Sequence, residues 1–200
     1  MSILKRHFLL PLSLFVVCCS HSLVAFSQDW DLKVAERINP QNPHSAVWRG
    51  ATSSAYPLGV ALPVSQFVYG IIAHDKNSRK KAYESLAGLV VSAAITETLK
   101  FSIDRQRPGE KHPDKIFPYK VETGRSFPSG HTTIAFATAT SLALEYRKWY
   151  VVVPAYLWAG TVGYSRVYLG QHYPTDVIGG ALVGTGGALL SHWLSRKLLR

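Results

Sequence analysis

Cysteine is almost missing from this chain of 200 residues: its two cysteines, Cys18 and Cys19, stand side by side near the start. If that leading segment is removed, disulfides, thiolate metal sites and cysteine nucleophiles are all excluded. Charge is sparse as well, with Asp, Glu, Lys and Arg at 17% of the residues, below the usual quarter. Acidic residues are the scarcer sign, 12 against 22 basic ones, and no cluster of carboxylates suggests a divalent metal site. Internal repeats and low-complexity tracts are absent too, and the length suits one domain with a sizeable core.

What the chain does have is apolar mass, 47% hydrophobic residues, and a formal charge of +10. Such a charge suits nucleic acid, an anionic membrane surface or a phosphorylated substrate, and by itself does not choose among them. The first residues combine Lys5 and Arg6, an apolar run from Phe8 to Cys19, and small residues at Ala25 and Ser27. This is the pattern of a secretory signal over residues 1–27, cut after Ser27, with an uncleaved signal anchor as the alternative. Val17 before Cys18 argues against a lipoprotein signal. Residues 28–54 are polar and mixed, with Trp30 and Trp48 as amphipathic anchors and "NPQNP" at 39–43 as a helix breaker, and they read as short interfacial helices.

Five apolar segments follow, at about 55–74, 83–103, 131–146, 149–165 and 175–194. Each is long enough to cross most or all of a hydrocarbon core about 30 Å thick. The expected fold is therefore all-α, a multi-pass membrane helical bundle of five apolar helices plus the N-terminal signal or anchor, with residues 55–200 as its functional domain. A soluble bundle of unusually apolar helices is the alternative. The small residues of "IGGALVGTGGALL" at 178–190 suit close helix contacts inside such a bundle. If the segments alternate, residues 74–81, 147–148 and 195–200 fall on one side, and 104–130 and 165–174 on the other. With Lys5 and Arg6 on the first side, and Lys33, Arg37, Arg49 and Lys100 on the second, Lys and Arg divide evenly, eleven to a side, so orientation rests on the signal and on the short basic loops, which are expected in the cytoplasm.

Three groups of polar residues share the second side. In "KFSIDRQRP", Lys100 stands where a helix should end before Pro108, with Arg107 just beyond, so that both can reach one anion. In "PSGH", Pro128 sets up a helix start, Ser129 can cap it, and the N–H groups of Gly130 and His131 are free to face an anion beside an imidazole that titrates near neutral pH. In "SRVYLGQHYPTD", Pro174 suits the first turn of the last helix, leaving His172 just outside it and Asp176 within reach of one ring nitrogen. The other nitrogen is then free as a nucleophile. Taken singly, each group also reads as an interfacial basic pair, an ordinary cap or a capping carboxylate. Together, three cations, a helix end and a histidine held by a carboxylate have the parts for phosphoryl transfer through a phosphohistidine.

K-x6-R-P, P-S-G-H and S-R-x5-H-x3-D, in that order, resemble the three signature motifs of the type 2 phosphatidic acid phosphatase superfamily, which includes bacterial acid phosphatases and vanadium haloperoxidases. The signature positions are filled by Lys100, Arg107, Pro108, Pro128, Ser129, Gly130, His131, Ser165, Arg166, His172 and Asp176. By that resemblance His172 is the nucleophile, Asp176 orients it, and His131 protonates the leaving group. Lys100, Arg107, Ser129, Gly130 and Arg166 hold the phosphoryl oxygens, and no metal or other cofactor is implied.

The expected partners are a lipid phosphate and the membrane, not nucleic acid, and the expected place is the inner membrane with the site facing the periplasm or exterior. A secreted soluble acid phosphatase, a haloperoxidase and a silent phospholipid-binding protein are the competing readings. Among residues outside the motifs, Arg105, Lys120 and Arg125 read as solvated loop charges, with attraction of anionic headgroups as the alternative, Glu97 as a partner of Lys100, and Tyr168 and Tyr173 as lining the mouth of the site.

Overall fold

The computed structural model describes residues 30–198, so the expected signal or anchor at 1–27 lies outside the described residues. Every regular element among the described residues is helical: α1 at 30–38, α2 (Ala46–Ser53), α3 (Ala55–Ile72), α4 (Lys76–Ile103), the single turn α5 (Pro108–Lys111), α6 (Gly130–Tyr146), α7 (Trp149–Tyr168) and α8 (Pro174–Leu198).

Helix boundaries follow local chemistry. Asp75 caps α4 by accepting from the Asn77 and Ser78 amides at 2.9 and 3.2 Å. That cap lets α4 start at Lys76, earlier than the apolar pattern at 83 indicates, because hydropathy marks only the buried part of a helix whose first turns are polar. At its other end Asp104 turns left-handed at φ 48°, which stops the helix ahead of the Pro108 constraint. Pro174 opens α8, where its missing N–H costs no hydrogen bond.

Three helical stretches, Ala46–Ile72, Lys76–Lys111 and Pro174–Lys197, are long and apolar enough to cross a membrane. Their outer faces are apolar: Val60, Val64, Val68 and Ile72 on α3, and Ile178, Leu182, Leu189 and Trp193 on α8, are all exposed. Such a surface suits hydrocarbon rather than water. The other two of the five expected spans, α6 and α7, do not meet that standard. At 17 residues, α6 is about 25 Å long at 1.5 Å per residue, and Thr and Ser interrupt its apolar run.

The interior position of α6 accounts for its composition. Ala135, Ala137 and Ala139 are fully buried, and its hydroxyls bond across to neighbouring helices, Thr133 with Thr96 of α4 at 3.1 Å and Thr140 with Tyr156 of α7 at 2.9 Å. Helix α8 lies against both α6 and α4, and its glycines make this approach possible. A Cβ on Gly184 would overlap the Thr133 carbonyl oxygen, and one on Gly187 would overlap Ser92 Oγ. Small residues therefore do bring these helices together, as the 178–190 pattern predicts.

The two ends of the bundle differ. At the end with the short basic connections, Ser85 donates to Glu145 at 2.6 Å, while Glu84 takes Ser195 at 2.5 Å and lies 3.0 Å from His192. At the other end, the long 104–129 connection and the short 169–173 connection bring the three sequence motifs together.

Candidate active site

The first motif reaches the third directly. Arg107 takes the extended backbone, φ −71° and ψ 152°, that a residue before proline must take. Its guanidinium turns inward, donating to the Gln171 carbonyl at 2.9 Å and lying 3.3 Å from His172 Nε2. Lys100 occupies the last turn of α4 and pairs with Glu97 at 3.3 Å, as its spacing indicates.

The second motif is the start of α6. Ser129 holds the N-cap position, yet its side chain makes no capping bond. Its Oγ instead accepts from Thr132 Oγ1 at 2.9 Å, and its amide donates to the Asp176 carbonyl at 3.0 Å. The expected hydroxyl cap is thus replaced by a contact that ties the α6 terminus to α8. Gly130 carries no side chain where a Cβ would stand 3.2 Å from Tyr56 Oη and 3.9 Å from Lys100 Nζ. The ammonium of the first motif therefore lies beside the amino terminus of the second, where an anion is favoured by aligned N–H donors. The His131 ring meets Tyr56 edge-on at 4.7 Å between centroids.

The third motif turns tightly between α7 and α8: the amides of Gln171 and His172 both donate to the Arg166 carbonyl, at 3.0 and 3.3 Å. This turn buries His172 and points its two nitrogens in different directions. Nδ1 lies 3.4 Å from Asp176 Oδ2, and Nε2 faces Arg107. Burial pushes the His172 imidazole down to about 4, the Asp176 bond opposing that shift, so the ring is neutral at neutral pH. Arg166, also buried, donates to Thr52 Oγ1 at 2.9 Å. The Nε–H groups of Arg107 and Arg166 are buried with no hydrogen-bond partner, as fits guanidinium groups arranged around an anion seat.

Asp176 is fully enclosed. Its Oδ2 accepts from the Tyr173 amide at 2.9 Å and from Ser126 Oγ, and its Oδ1 accepts from Arg105 at 2.7 Å. Arg105 also reaches Asp31 of α1 at 2.7 Å, so it is a structural ion-pair partner and not the solvated loop charge expected. Arg125 matches that expectation better, pairing with an exposed Asp104 at 2.6 Å. Tyr173 is only 3% exposed and lies under the Arg105 guanidinium at 4.0 Å, so it does not line the mouth. Tyr168 packs on Trp48, with 5.6 Å between ring centroids.

Glu122, which no motif marks, sits within the cationic group. Both its oxygens accept from Arg166, at 3.1 and 2.9 Å, and one lies 3.2 Å from Arg107. Burial alone would raise its carboxyl, but the Arg166 charge and hydrogen bonds, with Arg107 and His172 behind them, hold it below the ordinary range. Nothing in the local pattern around Glu122 identifies it, since Arg166, which takes both its oxygens, is 44 residues away. Ser126 and Asp31 carry no local signal for the same reason, their partners Asp176 and Arg105 being 50 and 74 residues away.

Comparison with known proteins gives these features a family. The model of the PAP2 superfamily matches residues 82–200. The chain is 29% identical over 182 residues to the lipid A 1-phosphatase of Porphyromonas gingivalis, covering 90% of this chain and 37% of that protein. Across three curated relatives it spans 33% to 56% of their length. Among solved structures, LpxE of Aquifex aeolicus superposes with a TM-score of 0.67 at 28% identity, covering 81% of this chain and 94% of that one. A transmembrane PAP2 type phosphatidylglycerolphosphate phosphatase of Bacillus subtilis superposes with a TM-score of 0.63 at 27% identity, covering 94% and 96%. With three apolar spans, three ordered motifs meeting at one end of the bundle, and a family match over more than half of its residues, this chain belongs to the PAP2 superfamily.

Proposed function

We propose that this protein is a membrane phosphatase that hydrolyses a lipid phosphate monoester or diphosphate through a phosphohistidine. The observation that carries the reading is the orientation of His172, with Nδ1 toward Asp176 and Nε2 toward Arg107. Asp176 holds the tautomer with the proton on Nδ1, and the Nε2 lone pair attacks phosphorus. As the N–P bond forms, the bond from phosphorus to the lipid oxygen breaks, and His131 gives that oxygen a proton. Lys100, Arg107, Arg166, Ser129 and the Gly130 N–H hold the phosphoryl oxygens and offset the charge that builds on them. In the second step His131 takes a proton from water, whose oxygen attacks phosphorus and releases inorganic phosphate and His172. The sequence as proposed needs no metal.

Relatives named as lipid A 1-phosphatase, undecaprenyl-diphosphatase and phosphatidylglycerophosphatase B support a lipid as the carrier of the phosphate. Lipid A phosphate, isoprenyl diphosphate, phosphatidylglycerol phosphate and phosphatidic acid are the substrates to compare. The inner membrane, with the site facing the periplasm or exterior, is the proposed location, because the short basic connections lie at the opposite end of the bundle. The signal or anchor at 1–27 completes this reading. The apolar outer faces of α3 and α8 favour it over a soluble acid phosphatase or haloperoxidase. The retained pair His172 and Asp176 favours it over a silent phospholipid-binding protein, since docking needs only cations and a helix end.

The test is phosphate release by detergent-purified protein from that panel, with soluble phosphate esters as controls, for the wild type and His172→Ala. Release from one or more lipids that is lost in the variant supports the reading. Equal rates in the two proteins remove the nucleophile, and release only from soluble esters removes the lipid substrate.

A further inference from the structure

The Asp176 carboxylate has one oxygen for catalysis and one for support. Oδ2 faces His172, Ser126 and the Tyr173 amide, whereas Oδ1 is held by Arg105 Nη1 at 2.7 Å. Arg105 is held in turn. Its Nη2 meets Asp31 Oδ2 at 2.7 Å, its Nη1 also donates to Thr175 Oγ1 at 2.7 Å, and its guanidinium lies over the Tyr173 ring. Asp31 is 0% exposed and anchors the start of α8 too, accepting from the Thr175 amide at 3.0 Å and from the Thr175 hydroxyl.

From this geometry we infer that Asp31 and Arg105 form a positioning relay that holds the Asp176 carboxylate against His172, so that α1 belongs to the catalytic apparatus. The inference rests on the phosphohistidine reading above. Asp31 lies outside the 82–200 segment that the family model matches.

A packing role alone would not need this chemistry. Helix α1 already has other anchors: Asn39, just beyond it, donates to the Phe117 and Tyr168 carbonyls at 3.0 and 2.8 Å, and Ala35 packs with Ile116 and Val167. Asp31 instead commits a buried charge to a cation that touches the carboxylate orienting the nucleophile. Without Asp31 the Arg105 fork loses one of its two carboxylates and is free to turn. Asp176 then loses the firm hold on Oδ1, leaving its rotation to the Oδ2 contacts with Ser126, the Tyr173 amide and His172. The side-chain hydrogen bonds of Asp31 and Arg105 go to each other, to Thr175 and to Asp176 and not to Arg107, Arg166 or Gly130, so the proposed seat for the phosphoryl group should be left intact.

The test uses the full chain in detergent and the lipid phosphate that the wild type hydrolyses fastest, comparing Asp31→Asn, Arg105→Gln and the double variant, with His172→Ala as the control. Each single change is expected to lower kcat about 10- to 100-fold, the size of effect known for the outer hydrogen-bond partners of metal-bound imidazoles. KM and the inhibition constant of inorganic phosphate should stay within about twofold. The double variant should be no slower than Arg105→Gln alone, as for two groups acting through one contact. Arg105→Lys should recover part of the loss.

Wild-type kcat in Asp31→Asn, losses that multiply in the double variant, or a KM that rises in step with the fall in kcat would each overturn the relay. If Arg105→Gln does not fold, Thr175→Val takes its place in the cycle under the same criteria. An active His172→Ala protein would instead overturn the phosphohistidine reading. A dead His172→Ala beside an unaffected Asp31→Asn removes the relay alone.

Discussion

Glu122 presents both carboxylate oxygens to Arg166, at 3.1 and 2.9 Å, from a connection 44 residues earlier in the chain. One of those oxygens also lies 3.2 Å from Arg107. A carboxylate held by two guanidinium groups takes the same donors that a phosphoryl group would take. Under the proposed mechanism Glu122 would compete for these guanidinium groups, and a phosphate bound there would have to displace it.

Replacing Glu122 with Gln keeps the shape and removes the charge. Inorganic phosphate should then inhibit about fivefold more strongly, the effect of roughly 1 kcal/mol at the upper end of exposed ion pairs, expected when this partly buried pair no longer has to be broken. The inhibition constant, measured in detergent against the wild type, checks this. Weaker inhibition would make Glu122 a support of the arginines and not a competitor.

The proposed nucleophile should remain usable in acid. Because burial lowers His172 to about 4, its neutral form persists as pH falls through the ordinary histidine range, and protonation removes it only near the lowered value. The acid limb of kcat/KM is therefore expected below pH 5, as a property of the coupled His172 and Asp176 pair. A limb near the ordinary imidazole value of about 6.5 would place His172 in a more solvated setting than the structure gives it.

Chelation separates this chemistry from metal-assisted hydrolysis. With three cations and a helix end opposing the phosphoryl charge, phosphate release should persist at its full rate after incubation with EDTA. Loss on chelation that a divalent ion restores would refute the mechanism as written.

Helix contact also makes a prediction. A Cβ on Gly184 overlaps the backbone carbonyl of Thr133, whereas one on Gly186 meets nothing within 4 Å. Gly184→Ala should lower the apparent Tm in detergent, consistent with a cost of about 1–3 kcal/mol for overpacking. Gly186→Ala should leave it unchanged or raise it, since Ala favours the helix. Equal Tm values for the two variants would show that α6 and α8 yield readily.

Much of the site could be read before any coordinates, because its elements are local. Pro108 and Pro174 restrict the backbone beside them, so Lys100 at the end of α4 and Asp176 in the first turn of α8 follow from spacing. The pairing of His172 with Asp176 is likewise a matter of four residues. The membrane character of α3, α4 and α8 is written in their hydropathy. Helix α6 carries no such signal, because a helix surrounded by other helices can spend its surface on hydroxyls that bond to them. Sequence spacing cannot tell such a helix from a shorter, more polar span.

The sequence by itself determined the all-helical class, the ends set beside Pro108 and Pro174 and the pairing of His172 with Asp176, since a proline or an i to i+4 pair acts within a few residues. Only the tertiary structure decided that Asp31 reaches Arg105 across 74 residues, that Glu122 sits on Arg166, and that Ser129 is tied to Asp176 through its backbone instead of capping α6. These contacts depend on how the long 104–129 connection and α1 close over the end of the bundle. Such closure leaves no period in the sequence, because what selects each partner is a buried charge that must be matched where the chain happens to bring it.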